Sequence, residues 1–181
     1  MSSLLDKIKK FFHFIFFGEG LASDLAFIAF VALIVLLLRS IFPLISVVMS
    51  SSMQHDNFNY EKYAKLNITP EKIQSWPFPN GINKGDMVII LPTNPYSIKP
   101  GTVILYNSRL FNKPILHRVV KVVNESEEVY YIVMGDNNPG PTPEEWHITP
   151  DQIIGKVVLR IPYLGYPKVI LCDLTHFPAF C

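Results

Sequence analysis

An apolar run limits this chain more than any other feature. From Leu25 to Leu38 no residue carries a charge. A helix of that length reaches only ~21 Å, short of a bilayer core of roughly 30 Å. Continuing it to Leu21 on one side and Phe42 on the other closes the gap, so residues 21–43 are expected to form a transmembrane helix that Pro43 ends or kinks. Asp24 and Arg39 fall one turn inside the ends, where an aspartate faces the helix N-terminus and an arginine snorkels. A cleaved secretory signal fits less well, because the run is long, lies well inside the chain and lacks a small-x-small site behind it.

Ahead of the run, Leu4, Leu5, Ile8, Phe11, Phe12 and Ile15 fall on one helical face, with Lys7, Lys9 and Lys10 among them. Residues 1–20 are therefore expected to be an amphipathic segment lying in the membrane interface, broken at Gly18-Glu19-Gly20. The lysines before the run outnumber Arg39 behind it, so the positive-inside bias puts the N-terminus in the cytoplasm and residues 44–181 outside.

Those outer residues suit one domain with a core of ordinary size. A net charge of +1, with no basic patch, argues against nucleic acid as a partner. Cys172 and Cys181 are too few for a disulfide framework, and a bridge between them stays open. No metal or cofactor is expected.

From Asp86 onward short runs rich in Val, Ile and Tyr recur between Pro, Gly and Asn: Met87–Leu91, Thr102–Tyr106, Ile115–Val123, Val129–Met134, Ile153–Arg160 and Lys168–Leu171. Strands without alternating helices imply a mainly β domain, an antiparallel sheet folded as a barrel or sandwich. Between Met53 and Gly85 the chain is polar and irregular, with a short helix expected at Pro70–Gln74 and turns around Trp76-Pro77-Phe78-Pro79-Asn80-Gly81.

Three segments carry residues suited to chemistry. Ser50-Ser51-Ser52-Met53 follows the apolar segment at once, but a serine is a poor nucleophile until a base takes its proton. His117, beside Arg118, shares a strand face with Ile115 and Val119, which suits a structural histidine as well as a base. Asp136 lies in Gly135-Asp136-Asn137-Asn138-Pro139-Gly140, where an aspartate either caps a turn or orients a histidine.

Together these segments resemble the type I signal peptidases, and the archaeal and endoplasmic-reticulum branch more closely than the bacterial one. The matching residues are Ser50-Ser51-Ser52-Met53 after a membrane segment, Gly85-Asp86 opening a strand, His117-Arg118 and Gly135-Asp136-Asn137-Asn138, in the family's order over roughly residues 45–171. The resemblance implies a membrane-anchored serine endopeptidase that removes signal peptides from exported preproteins. Ser52 matches the nucleophile, and His117 the base in place of the bacterial lysine. Ser50 matches a hydroxyl that helps hold the oxyanion. The implied location is the cell membrane or the endoplasmic-reticulum membrane, with preproteins and the lipid bilayer as partners and further membrane subunits an open matter.

The chain departs from the family at three places. His55 stands where a proline is usual, which makes it a rival base. Residues 54–84 form a long insertion before Gly85-Asp86. Thr142 occupies the place of the family's second aspartate, six residues after Asp136. Asp136 is then the first choice for the orienting acid, with Glu144 or Glu145 as substitutes. The rival from another class is a non-catalytic membrane-anchored β domain that binds exported peptides or partner subunits.

Overall fold

The computed structural model describes residues 2–41, 44–55, 58–125 and 128–175. The chain divides into two compact units, Met1–Pro43 and Leu44–Cys181.

The first unit is a pair of helices, α1 (Ser2–Phe17) and α2 (Leu21–Ile41). They are held by an aromatic cluster in which the Phe16 ring lies 5.8 Å from Phe27 and 5.7 Å from Phe30, edge to face. At the start of α2, Ser23 Oγ donates to Gly20 O at 2.8 Å. No single described helix is long and apolar enough to cross a membrane. Leu4–Phe17 and Leu21–Leu37 meet that test only as a pair, bent by 103°. The expected span falls on α2, and its last two residues, Phe42 and Pro43, lie outside the described residues.

The second unit is built on one six-stranded antiparallel sheet. Its strands are β1 (Leu44–Val47), β2 (Met87–Leu91), β3 (Val103–Ser108), β4 (Lys113–Glu125), β5 (Glu128–Met134) and β6 (Ile153–Ile161), in the order β1-β2-β6-β3-β4-β5. The sheet stays open, with β1 and β5 at its edges, so the expected closure into a barrel is not formed. The outer edge of β5 is blunted instead by a two-way backbone pairing between Tyr131 and Ile148.

Alternation places the core. Val88 and Ile90 of β2 join Val103 and Leu105 of β3, Val157 of β6 and Met53 in one cluster. Ile104 and Tyr106 point the other way, into a second cluster with Val119, Tyr131 and Val133. A bulge between Val119 and Lys121 shifts the phase of β4, so that Val119 and Val122 serve the second cluster while Val120 and Val123 turn to a third.

That third cluster is supplied by the 54–84 stretch. Its helices α3 (Glu61–Ala64) and α4 (Pro70–Gln74) bring Tyr63, Ile73 and Trp76 against Val120, Ile132 and Met134. α4 has the expected bounds, with Thr69 as its N-cap and Pro70 at its first position.

Two elements differ from expectation. Leu44–Val47, placed in the outer domain with no strand expected there, is a strand paired antiparallel to β2. Lys168–Leu171, read as a strand, lies within the helix α5 (Tyr166–Thr175). A short apolar run such as Val169-Ile170-Leu171 has no period of its own. Pro167 in the first turn, and the bonds of Lys168 and Val169 N–H to Gly165 O, settle it as helix. Gly85, the residue before Asp86, has φ +87, and a Cβ there would sit 2.4 Å from the Tyr166 ring; only glycine fits under it. Cys181 lies outside the described residues.

Candidate active site

β1 ends at Val47 and runs directly into the serine turn, which is anchored on the far side of Ser52. There Met53 is 1% exposed, inside the first core cluster, and its carbonyl accepts from Ile82 N–H at 2.9 Å. Burying a side chain of that size contributes roughly 1.5–3 kcal/mol. The turn is thus hung on the core at the residue next to Ser52, while Ser52 itself stays half-buried.

The Gly135–Asn138 turn at the end of β5 holds the serines from the other side. Asn137 N–H donates to Ser52 O at 2.7 Å, and Asn137 Nδ2 donates to Ser51 O at 3.1 Å. A Cβ at Gly135 would lie 2.9 Å from His117 Nε2 and 2.7 Å from Asn138 Nδ2, so a larger residue there would displace one of these side chains.

His117 stands in β4, opposite Ile104 of β3, and is 6% exposed. Its Nε2 lies 3.1 Å from Ser52 Oγ. On the other side of the ring, Nδ1–H donates to Glu145 Oε1. A carboxylate only accepts, so this contact fixes the proton on Nδ1 and turns the Nε2 lone pair toward Ser52. Ser50 Oγ lies 3.1 Å from Ser52 Oγ.

Glu145 is 1% exposed and fully partnered. Tyr106 OH donates to Oε1 at 3.2 Å, and Thr142 N–H donates to Oε2 at 2.7 Å. Burial pushes its carboxyl up, but the hydrogen bond and charge of His117 and the Thr142 contacts outweigh burial and leave it below the usual range. The same contacts push the Tyr106 phenol up, by burial first and then by the Glu145 charge.

Asp136, the first choice for the acid, is elsewhere. It is fully buried and bound by Arg118, whose Nε donates to Oδ1 at 2.9 Å and whose Nη2 donates to Oδ2 at 2.6 Å. Arg118 spends its remaining N–H groups on the carbonyls of Pro77, Phe78 and Gly101 at 2.6–3.0 Å. Tyr63 OH donates to Asp136 Oδ1 at 2.9 Å and His55 Nε2–H to Oδ2 at 2.8 Å. Burial raises the Asp136 carboxyl, yet the hydrogen bonds of His55 and Arg118 and the guanidinium charge prevail and hold it at about 2. The physical reason for the exchange of roles is alternation: Arg118, next to His117, points to the opposite side of β4 and takes Asp136 with it.

The other candidates have partners elsewhere. His55 reaches Asp136 and lies tilted against Phe58, with ring centroids 4.0 Å apart, so it is bound away from Ser52. Glu144 accepts from Ser108 Oγ at 2.5 Å and from Arg109 and Leu110 N–H at 2.6 and 3.2 Å, which ties down the β3–β4 turn. Asp86 accepts from Asn83 N–H at 2.7 Å and pairs with Arg160 at 2.6 Å.

Tyr106 and Asn137 were not singled out by sequence. Glu145 had a legible signal: Thr142-Pro143-Glu144-Glu145 has the Thr-x-x-Glu spacing of a capping box, in which the glutamate folds back on the backbone N–H three residues earlier. A cleft of about 530 Å³ opens over the site, lined by Val47, Ser50, Ser52, Leu105, Leu116 and His117 among others. Within it the Ser52 hydroxyl, the His117 imidazole and the Glu145 carboxylate stand in the order that acyl transfer requires.

No family model matches the chain. It is similar to the signal peptidase complex catalytic subunits of Colletotrichum graminicola (32% identical), Sclerotinia sclerotiorum (29%) and Neurospora crassa (27%), each over 96 residues that make up 50% of this chain and 56% of the relative. The chain thus spans about half the length of the curated relatives it matches. Over that half it is a distant homologue of the endoplasmic-reticulum signal peptidase catalytic subunit, in the endoplasmic-reticulum and archaeal branch of the type I signal peptidases.

Proposed function

We propose that this chain is a membrane-anchored serine endopeptidase that cleaves signal peptides from exported preproteins. The observation that carries the reading is the relay from Ser52 Oγ, 3.1 Å from His117 Nε2, through the ring to Glu145. His117 takes the Ser52 proton as Oγ attacks the scissile carbonyl, and Glu145 stabilises the imidazolium that forms. Collapse of the tetrahedral intermediate passes that proton to the leaving amine and leaves an acyl-enzyme on Ser52. Water, deprotonated by His117, then releases the signal peptide. Ser50 Oγ donates to the developing oxyanion together with backbone N–H groups near Ser52.

The bent apolar pair α1–α2 serves as the anchor, with the catalytic unit on the outer side of the membrane. A preprotein whose signal segment already lies in the bilayer meets a tethered nucleophile at high effective concentration. Small residues before the cut suit a cleft narrowed by Leu105 and Leu116.

The test is cleavage of a preprotein by full-length wild-type, Ser52→Ala and His117→Lys proteins in membranes or detergent. Wild type cleaves and both variants lose activity by orders of magnitude; undiminished cleavage by Ser52→Ala would sink the reading.

A further inference from the structure

Three side chains from the 54–84 stretch converge on the turn that holds the serines. His55 and Tyr63 end on the Asp136 carboxylate, whereas Lys62 reaches the backbone. Its Nζ donates to Asp136 O and, at 2.8 Å, to Asn138 O. The half-buried ammonium is braced by rings, 5.4 Å from the Phe58 centroid and 5.5 Å from that of Tyr63.

The carbonyl of Asp136 and the N–H of Asn137 belong to one planar trans peptide and point in opposite directions. Lys62 holds the oxygen end of that plane, and Ser52 O receives the hydrogen end at 2.7 Å. A tilt of the plane on release of Lys62 would therefore move the Ser52 carbonyl and, with it, the 3.1 Å approach of Oγ to His117. Polarisation acts in the same sense: an ammonium on the carbonyl strengthens the N–H as a donor.

We propose that Lys62 is a positioning residue for Ser52, acting through the Asp136–Asn137 peptide, so that the 54–84 stretch sets the geometry of the nucleophile from outside the cleft. This rests on the reading of Ser52 as the nucleophile. A displacement of about 1 Å at a reacting group costs on the order of 100-fold in rate. Lys62 touches no reacting atom, and the charged group facing it is Asp136, whose pair with Arg118 does not need it.

The experiment uses the full chain with Lys62→Met, Lys62→Arg and, as a control on the exposed end of the same turn of helix, Lys65→Met. Turnover of a preprotein gives kcat and KM, thermal melting gives Tm, and amide exchange at Asn137 is read in a Ser52→Ala background, where activity plays no part. Lys62→Met is expected to lower kcat about 10- to 100-fold with KM within about twofold, and to speed Asn137 exchange. Lys62→Arg, which keeps charge and donors, recovers most of kcat, and Lys65→Met behaves as wild type. Wild-type kcat in Lys62→Met, or unchanged Asn137 exchange, overturns the proposal. A wild-type protein with no Ser52-dependent cleavage overturns the underlying reading instead, and the exchange measurement still judges the clamp.

Discussion

Thr142 gives its backbone N–H to Glu145 Oε2 at 2.7 Å, so the residue standing where a second aspartate was expected holds the carboxylate that reaches His117. That carboxylate lies three positions further along the chain, and its longer side chain folds back over the distance. Glu145→Gln keeps the shape but supplies an amide that no longer favours the Nδ1–H tautomer or stabilises the imidazolium. The expected loss in kcat is about two to four orders of magnitude, measured by preprotein cleavage. Glu144→Gln, which acts on the β3–β4 turn, leaves kcat within a few fold of wild type.

Asp136 belongs to stability. Its carboxyl is held at about 2 in the folded protein against an ordinary 3.8. A depressed carboxylate contributes stability that is complete above its unfolded value and is lost as pH falls through the folded one. The contribution is about 2 kcal/mol, present above pH ~4 and gone below pH ~2. Urea unfolding followed over that window should show a loss that Asp136→Asn abolishes. Glu145 is depressed as well and adds to the acid loss in the same direction. Arg118→Met strands the buried carboxylate and is expected to cost about 3–5 kcal/mol.

Much of this arrangement can be read from residues in order, and the part that cannot has a physical cause. Met87–Leu91 and Pro70–Gln74 are legible because alternation, a cap and a proline at N1 are local signals. Leu44–Val47 and Val169–Leu171 are not, because a short apolar run fits a membrane helix, a buried strand or an amphipathic helix equally well, and tertiary partners decide. The same holds in the site. Ser52 and His117 stand out by residue type, whereas the partner of Asp136 depends on which side of β4 Arg118 faces. That Asp136 sits on Arg118 and not on His117 is a fact about the sheet, not about the turn in which it lies.

Gly135 offers a steric test of the His117 position. A methyl group there would lie 2.9 Å from Nε2, so Gly135→Ala pushes the ring or the Asn138 amide aside. The expected result is a stability loss of about 1–3 kcal/mol with a fall in kcat that exceeds the effect on KM, read from melting curves and steady-state kinetics.

The most direct measurement is a single turnover with a preprotein, quenched in acid and read by mass spectrometry of the enzyme. The account predicts a transient adduct with the mass of the signal peptide, joined as an ester to the tryptic peptide that contains Ser52 and absent from Ser52→Ala. Cleavage that proceeds with the same rate in Ser52→Ala, or an adduct on any other residue, would contradict it.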